Sequence, residues 1–212
     1  MKLLRFCLMA FVIGAVTSCS NDGDGLEVPD SRNDSENEMG NPGIAYFESI
    51  TSSDIWQSDS FDKRCDALNL PENILNNLTT VQLTECCIEY PFWVIYNAHN
   101  EPIDGVKLTI DSFNGFAALR KRSDHSKCLI DAYEDMSILY TQYLSEGRGK
   151  SLEAAGVKSH LVYFTWIFCT EFYPETLKGE NGKRLRPIVA GIAEQIGTTQ
   201  LYSAPRELLK LI

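Results

Sequence analysis

The residues best placed to do chemistry are His125 and Cys128, three positions apart. On a helix that spacing puts both side chains on one face, where a histidine can take the proton of a thiol and leave a nucleophilic thiolate. A hydrolase of the Cys-His type is therefore one reading. His125 also lies among Arg120, Lys121, Arg122, Asp124 and Lys127 at an expected helix start, where an exposed polar histidine is the ordinary outcome. The same pair could supply two ligands of a metal. No Cys-x-x-Cys or His-Glu-x-x-His accompanies it, so a zinc site is disfavoured and no cofactor is expected. His99 and His160 have no partner in the sequence pattern and are read as capping or packing residues.

Of the seven cysteines, Cys7 lies in an N-terminal apolar run and Cys19 stands three residues past its end. Lys2 and Arg5, the run Phe6 to Val16, and then small residues have the form of an export signal. The run ends in Val16-Thr17-Ser18-Cys19, which resembles the lipobox of bacterial lipoproteins. That resemblance implies cleavage after residue 18 and acylation of Cys19. Several acyl chains on one cysteine make a durable anchor without a transmembrane helix, so the membrane is an expected partner.

The remaining five cysteines are Cys65, Cys86, Cys87, Cys128 and Cys169. An odd number leaves at least one thiol unpaired, and a domain of this length holds together without disulfide staples. Small buried hydrophobes on helix faces are the expected role. Cys86 and Cys87 are adjacent, so on a helix they point about 100° apart and serve no common site.

The 212 residues are 44% hydrophobic and 23% charged, with a formal net charge of −10. Such a chain affords one folded domain, and its acidity disfavours nucleic acid, whose recognition needs clustered Lys and Arg. Without residues 1–18, which hold Lys2, Arg5 and no acid, 17 basic residues face 29 acids. Between Ser20 and Gly43 lie Asp22, Asp24, Glu27, Asp30, Asp34, Glu36 and Glu38 against Arg32 alone. A segment of this composition cannot bury enough apolar area to offset its ordering entropy, so residues 19–43 are expected to be a flexible tether, spanning on the order of 25 to 30 Å. The acids after Cys19 also look like the surface-export tract of Bacteroidetes lipoproteins. A plain solvated spacer is the alternative.

Residues 44–212 are the expected domain, and its periodicities are helical. Leu129, Ala132, Tyr133, Met136, Leu139, Tyr140, Tyr143 and Leu144 form one stripe, opened by Ser123 or Asp124 and closed by Gly147 and Gly149. A second helix is expected from Pro187 at its first position to Gly197 past its last. Thr79 with Gln82 spells a capping box leading into Leu83, Cys86 and Cys87, with Pro91 as the stop. Shorter helices are expected at Phe61–Leu68, Ile103–Phe113, Gly115–Arg122 and Arg206–Leu211. Leu161 to Tyr173 is aromatic and β-branched enough for a strand, but a lone strand leaves its backbone unpaired, so it reads as a central buried helix. The fold class is all-α.

Cys87, Cys128 and Cys169 are spaced 41 residues apart, each with an acid and a tyrosine shortly after. That spacing fits a two-helix solenoid repeat, with a compact bundle as the competing architecture. The stretch LTTVQLTECCIEYPF, then FNGFAALRKRSD and a long helix, covering about Leu78 to Leu144, resembles a group of uncharacterised helical lipoproteins of the Bacteroidetes. The resemblance implies a helical, exported domain and assigns no catalytic residue.

Other constellations read as structure. The glycines of Gly147-Arg148-Gly149 and Gly179-Glu180-Asn181-Gly182 lack phosphate-loop patterns and read as turns. Arg120-Lys121-Arg122 and Lys183-Arg184-Leu185-Arg186 could bind an anion or be solvated helix ends. Trp56, Trp93 and Trp166 could line a ligand groove or fill the core. Two function classes follow: a lipid-anchored, outer-membrane binding or scaffold module for a protein, peptide or glycan, or a thiol hydrolase using Cys128 and His125.

Overall fold

The computed structural model describes residues 40–58, 60–170, 177–196 and 203–211. The signal, Cys19 and most of the acidic segment therefore lie outside the described residues. Every regular element within them is helical: α1 (Pro42–Thr51), α2 (Asp54–Ser58), α3 (Phe61–Leu68), α4 (Glu72–Leu75), α5 (Thr80–Ile88), a 3-10 helix (Trp93–Ala98), α6 (Pro102–Ser112), α7 (Asn114–Arg120), α8 (His125–Ser145), α9 (Leu152–Phe168), α10 (Gly179–Ile196) and α11 (Ala204–Leu211).

The helix borders follow local chemistry. Gln82 N donates to Thr79 Oγ1 at 3.2 Å and Thr79 N to Gln82 Oε1 at 3.0 Å, so the expected capping box opens α5. At the end of α8, Gly147 takes a φ of 71°. Arg148 N then reaches the Tyr143 carbonyl at 2.8 Å and Gly147 N that of Leu144 at 3.1 Å, the two bonds of a Schellman stop. Asn41 accepts from Gly43 N at 3.0 Å to cap α1, and its amide donates to the Gln82 carbonyl at 2.7 Å. The first helix thus begins at Pro42, inside the stretch whose composition reads as tether.

Helix α9 is the centre. Every residue from His160 to Phe168 is buried, because α8, α11, α6 and the 3-10 helix all pack against it. A helix enclosed on all sides needs apolar residues all round, which is why its sequence has the look of a buried strand. It begins at Leu152, earlier than the aromatic run, behind the Ser151 cap; residues 171–173 of the expected helix lie outside the described ones. This enclosure is that of a bundle. The 41-residue spacing marks no structural repeat, since Cys87 lies late in α5, Cys128 in the first turn of α8, and Cys169 just past the end of α9.

Pro187 does not start its helix. Helix α10 begins at Gly179 and carries the proline inside it. The ring removes the bond to the Lys183 carbonyl, but both residues are on the exposed side, where water can satisfy that oxygen. The buried stripe Gly182, Leu185, Val189, Ile192, Ile196 runs unbroken through the proline at steps of three and four.

Candidate functional site

Helix α8 places His125 and Cys128 in its first turn, as their spacing predicts, but their atoms are committed elsewhere. His125 is buried, not exposed. Its Nδ1 donates to the Arg122 carbonyl at 2.6 Å, which leaves Nε2 to accept from Ser126 Oγ at 3.2 Å. The Cys128 sulfur instead faces the Asp124 carboxylate at 3.9 Å. Burial pushes the Cys128 thiol up, and the carboxylates of Asp124 and Asp131 push the same way. An activated cysteine needs a lowered pKa beside a positive group. This arrangement is the reverse.

The other thiols follow suit. Cys65, Cys86, Cys87 and Cys128 are buried, Cys169 is half-buried, and all five are free. Burial raises Cys65 and Cys87 and pushes Cys86 and Cys169 up to about 12. Cys86 and Cys87 diverge as their adjacency requires: Cys86 faces Asn41 of the α1 cap at 3.6 Å, while Cys87 lies on the side of Tyr163 in α9.

The basic clusters do not assemble an open anion site. Arg184 pairs with Asp131 and Glu134 of α8, Lys183 with Glu180 at 2.6 Å, and Arg122 donates to the Leu78 carbonyl at 3.2 Å. Among the described residues no three His, Cys, Asp or Glu side chains come together as metal ligands, and no helix is long and apolar enough to cross a membrane.

The tryptophans divide. Trp93 and Trp166 are core residues, 3% and 7% exposed. Trp56 is half-buried at the edge of the core, stacked on Phe92 with ring centroids 4.9 Å apart. Phe61, 39% exposed, packs on Phe92 from its other neighbour helix, also at 4.9 Å. The Arg64 guanidinium lies over the Trp56 ring, 5.6 Å from its centroid. This face is built by α2, α3 and the residues leading into the 3-10 helix. Tyr90 anchors it inward, edge-on to Phe92 and stacked on Phe113 at 4.8 Å. Arg64 Nε is buried without a hydrogen-bond partner, and Arg64 makes no ion pair, among the described residues. A guanidinium that rests on an aromatic ring and makes no ion pair, beside half-buried aromatic surface, can still accept an anionic group with an apolar body.

The sequence pointed to Trp56 but not to its partners, because Phe61, Arg64 and Phe92 come from separate elements. His160 packs as its sequence reading expected, but its acidic neighbour was not foreseen. His160, read from sequence as a packing residue, is 1% exposed, with its ring 3.9 Å from that of Trp93. Its Nδ1 donates to the Gly156 carbonyl at 3.1 Å, and Nε2, otherwise unpartnered, faces Glu89 Oε2 at 3.8 Å. Burial raises the Glu89 pKa, and His160 opposes that rise.

No family model, curated protein or solved structure matches the chain.

Proposed function

We propose that this is an exported, lipid-anchored cell-envelope protein whose helical domain is a non-catalytic binding or scaffold module; the Bacteroidetes lipoproteins its motifs resemble support the exported, helical part of that reading. The observation that carries the binding reading is the Trp56–Phe61–Phe92 face with the Arg64 guanidinium resting on it. Packed helices hold these side chains, so the surface is preorganised and loses little entropy on contact. The raised thiol of Cys128 and the engaged nitrogens of His125 weigh against the hydrolase.

The anchoring half rests on Val16-Thr17-Ser18-Cys19 after a charged and apolar leader. Cys19 is the acylated residue, the acidic segment after it is the spacer, and the destination is the outer membrane, with the domain outward. Cell fractionation of a Cys19→Ala variant tests this. The variant is expected to leave the membrane fraction, and continued tight association would refute the anchor.

A further inference from the structure

His160 of the central helix α9 sits against the connection between α5 and the 3-10 helix. Glu89 closes α5, its N–H donating to the Glu85 carbonyl at 2.8 Å, and Trp93 opens the 3-10 helix, its N–H donating to the Tyr90 carbonyl at 2.8 Å. The imidazole meets both ends of that span. Nε2 faces the Glu89 carboxylate at 3.8 Å, and the ring lies 3.9 Å from that of Trp93. Phe92, the ring between Trp56 and Phe61, is held within the same few residues.

Counting protons decides the state of the pair. A carbonyl only accepts, so the bond to Gly156 fixes a proton on Nδ1. A neutral His160 therefore turns a bare lone pair toward Glu89, and Nε2 has no other partner. With no proton between them, the carboxylate and that lone pair repel. With one proton the pair is either carboxylic acid on imidazole or carboxylate on imidazolium, and both forms attract at the same net charge. The surroundings favour keeping that proton. Glu89 stands at the C-terminal end of α5, where the helix carbonyls oppose negative charge. Burial raises its carboxyl, His160 opposes the rise, and Glu85, one turn earlier, adds to it. Among the described residues, no charged group from α1, α6, α7, α8 or α11 acts on Glu89. The 3-10 helix presents Trp93 and Tyr96, and α9 adds Tyr163, all uncharged at neutral pH. Lys158 is two residues from His160 and so on the other side of α9. His160 is 1% exposed, while the Glu89 side chain keeps 16% of its surface open, so the carboxylate is where the proton meets water.

We propose that Glu89 and His160 are a pH-sensitive latch: one shared proton fastens the span 89–93 to α9, and loss of that proton on the alkaline side releases the span and with it the seat of Phe92. The latch acts on the aromatic face, but its chemistry needs no ligand and stands apart from the binding reading.

The test uses the mature chain from residue 19 with Cys19→Ala, which keeps every described helix and carries no acyl group. Nitrogen NMR follows the His160 ring as pH is raised from about 5 to about 9, a range that spans ordinary glutamate and histidine titration. A His160→Gln spectrum assigns the signal. Nδ1 should keep its proton throughout, while Nε2 passes in one step from a proton-bearing or hydrogen-bonded nitrogen to a bare lone pair. Across that step the amides of residues 92–98, corrected for the intrinsic pH dependence of exchange, should lose roughly tenfold in hydrogen-exchange protection, as expected for one charge-assisted contact. The amides of residues 130–140 in α8 should not change. Glu89→Gln keeps the shape and removes the acid, so the step should move down by about one pH unit, and protection of residues 92–98 should cease to follow it. An Nε2 that stays bare over the whole range, protection of residues 92–98 that ignores the step, or a step at the same pH in Glu89→Gln would overturn the proposal. The first two are read from the unsubstituted Glu89–His160 pair, so they decide the matter even where a variant fails to fold. No ligand or acyl group enters the measurement, so failure of the latch is distinct from failure of the binding or anchoring reading.

Discussion

Substituting Gly105 by alanine probes the contact that seats the aromatic face. Helix α6 lies directly on the 3-10 helix. A methyl carbon at Gly105 would penetrate the Cα of Tyr96 and stand 3.0 Å from His99 Cδ2 and 3.1 Å from the Tyr96 carbonyl carbon. Tyr96 is fully buried and its hydroxyl donates to the Ser159 carbonyl of α9 at 3.3 Å, so its backbone cannot step aside cheaply. Overpacking of this kind costs about 1–3 kcal/mol, and a backbone obstacle belongs at the upper end. Replacing glycine by alanine inside a helix returns about 1 kcal/mol of propensity. The net expectation is a loss of about 2 kcal/mol, read as a fall of about 1 M in the urea midpoint for an m-value of about 2 kcal/mol/M. Gly43→Ala is the control. Its methyl meets a side-chain atom, the Cys86 sulfur, with Leu78 Cδ1 next at 3.3 Å. Adding Cys86→Ala removes that obstacle and should restore much of the lost stability, with a coupling of about 1 kcal/mol in the double-mutant cycle. Because Phe92 immediately precedes the 3-10 helix, Gly105→Ala should also alter the Trp56 emission. A Gly105→Ala protein as stable as the parent, or a Gly43→Ala defect indifferent to Cys86, would refute the reasoning.

The buried Tyr133 hydroxyl bonds Thr165 Oγ1 at 2.9 Å, joining α8 to α9, so Tyr133→Phe should cost about 1 kcal/mol in chemical denaturation, and an unchanged midpoint would contradict the bond's contribution. Glu89 has a folded-state pKa raised chiefly by burial, so the native state holds its proton more tightly than the unfolded chain. The contribution of Glu89 to stability should be fullest below the ordinary glutamate range and be lost as pH rises through its folded pKa. Glu89→Gln should flatten that fall, making the variant gain on the parent as pH rises above the ordinary glutamate range; a difference between the two that does not vary with pH would contradict it.

Where a local rule governs an element, the sequence is explicit. The Thr79–Gln82 box, the Gly147 stop and the stripe from Leu129 to Leu144 all specify their own geometry through neighbours in the chain. Pro187 misleads because the proline rule concerns an unpaired carbonyl, and here that carbonyl is on the solvent side; the buried Leu185 and Gly182 were the signal that the helix starts earlier. The Asn114-Gly115 pair is legible as a motif but not as a device. Asn114 accepts from Leu70 N at 3.0 Å and donates to the Leu70 carbonyl at 2.8 Å, stitching α7 to the loop after α3 across more than forty residues. The aromatic face is hidden for the same reason. Trp56 stands out in the sequence, but Phe61, Arg64 and Phe92 are unremarkable in their own segments, and only packing brings the four together. His125 and Cys128 show the converse. Correct spacing on a helix put them on one turn, yet which atom each addresses depended on Arg122, Asp124 and Ser126.

Native-state alkylation separates binding from thiol catalysis most directly. The folded protein is treated with iodoacetamide at pH 7, and modification of Cys65, Cys86, Cys87, Cys128 and Cys169 is followed by peptide mass spectrometry. With every thiol raised by burial, all five should label slowly in native buffer and rapidly only after denaturation. Fast, stoichiometric modification of Cys128 in the folded chain would contradict the account and make the hydrolase the leading function.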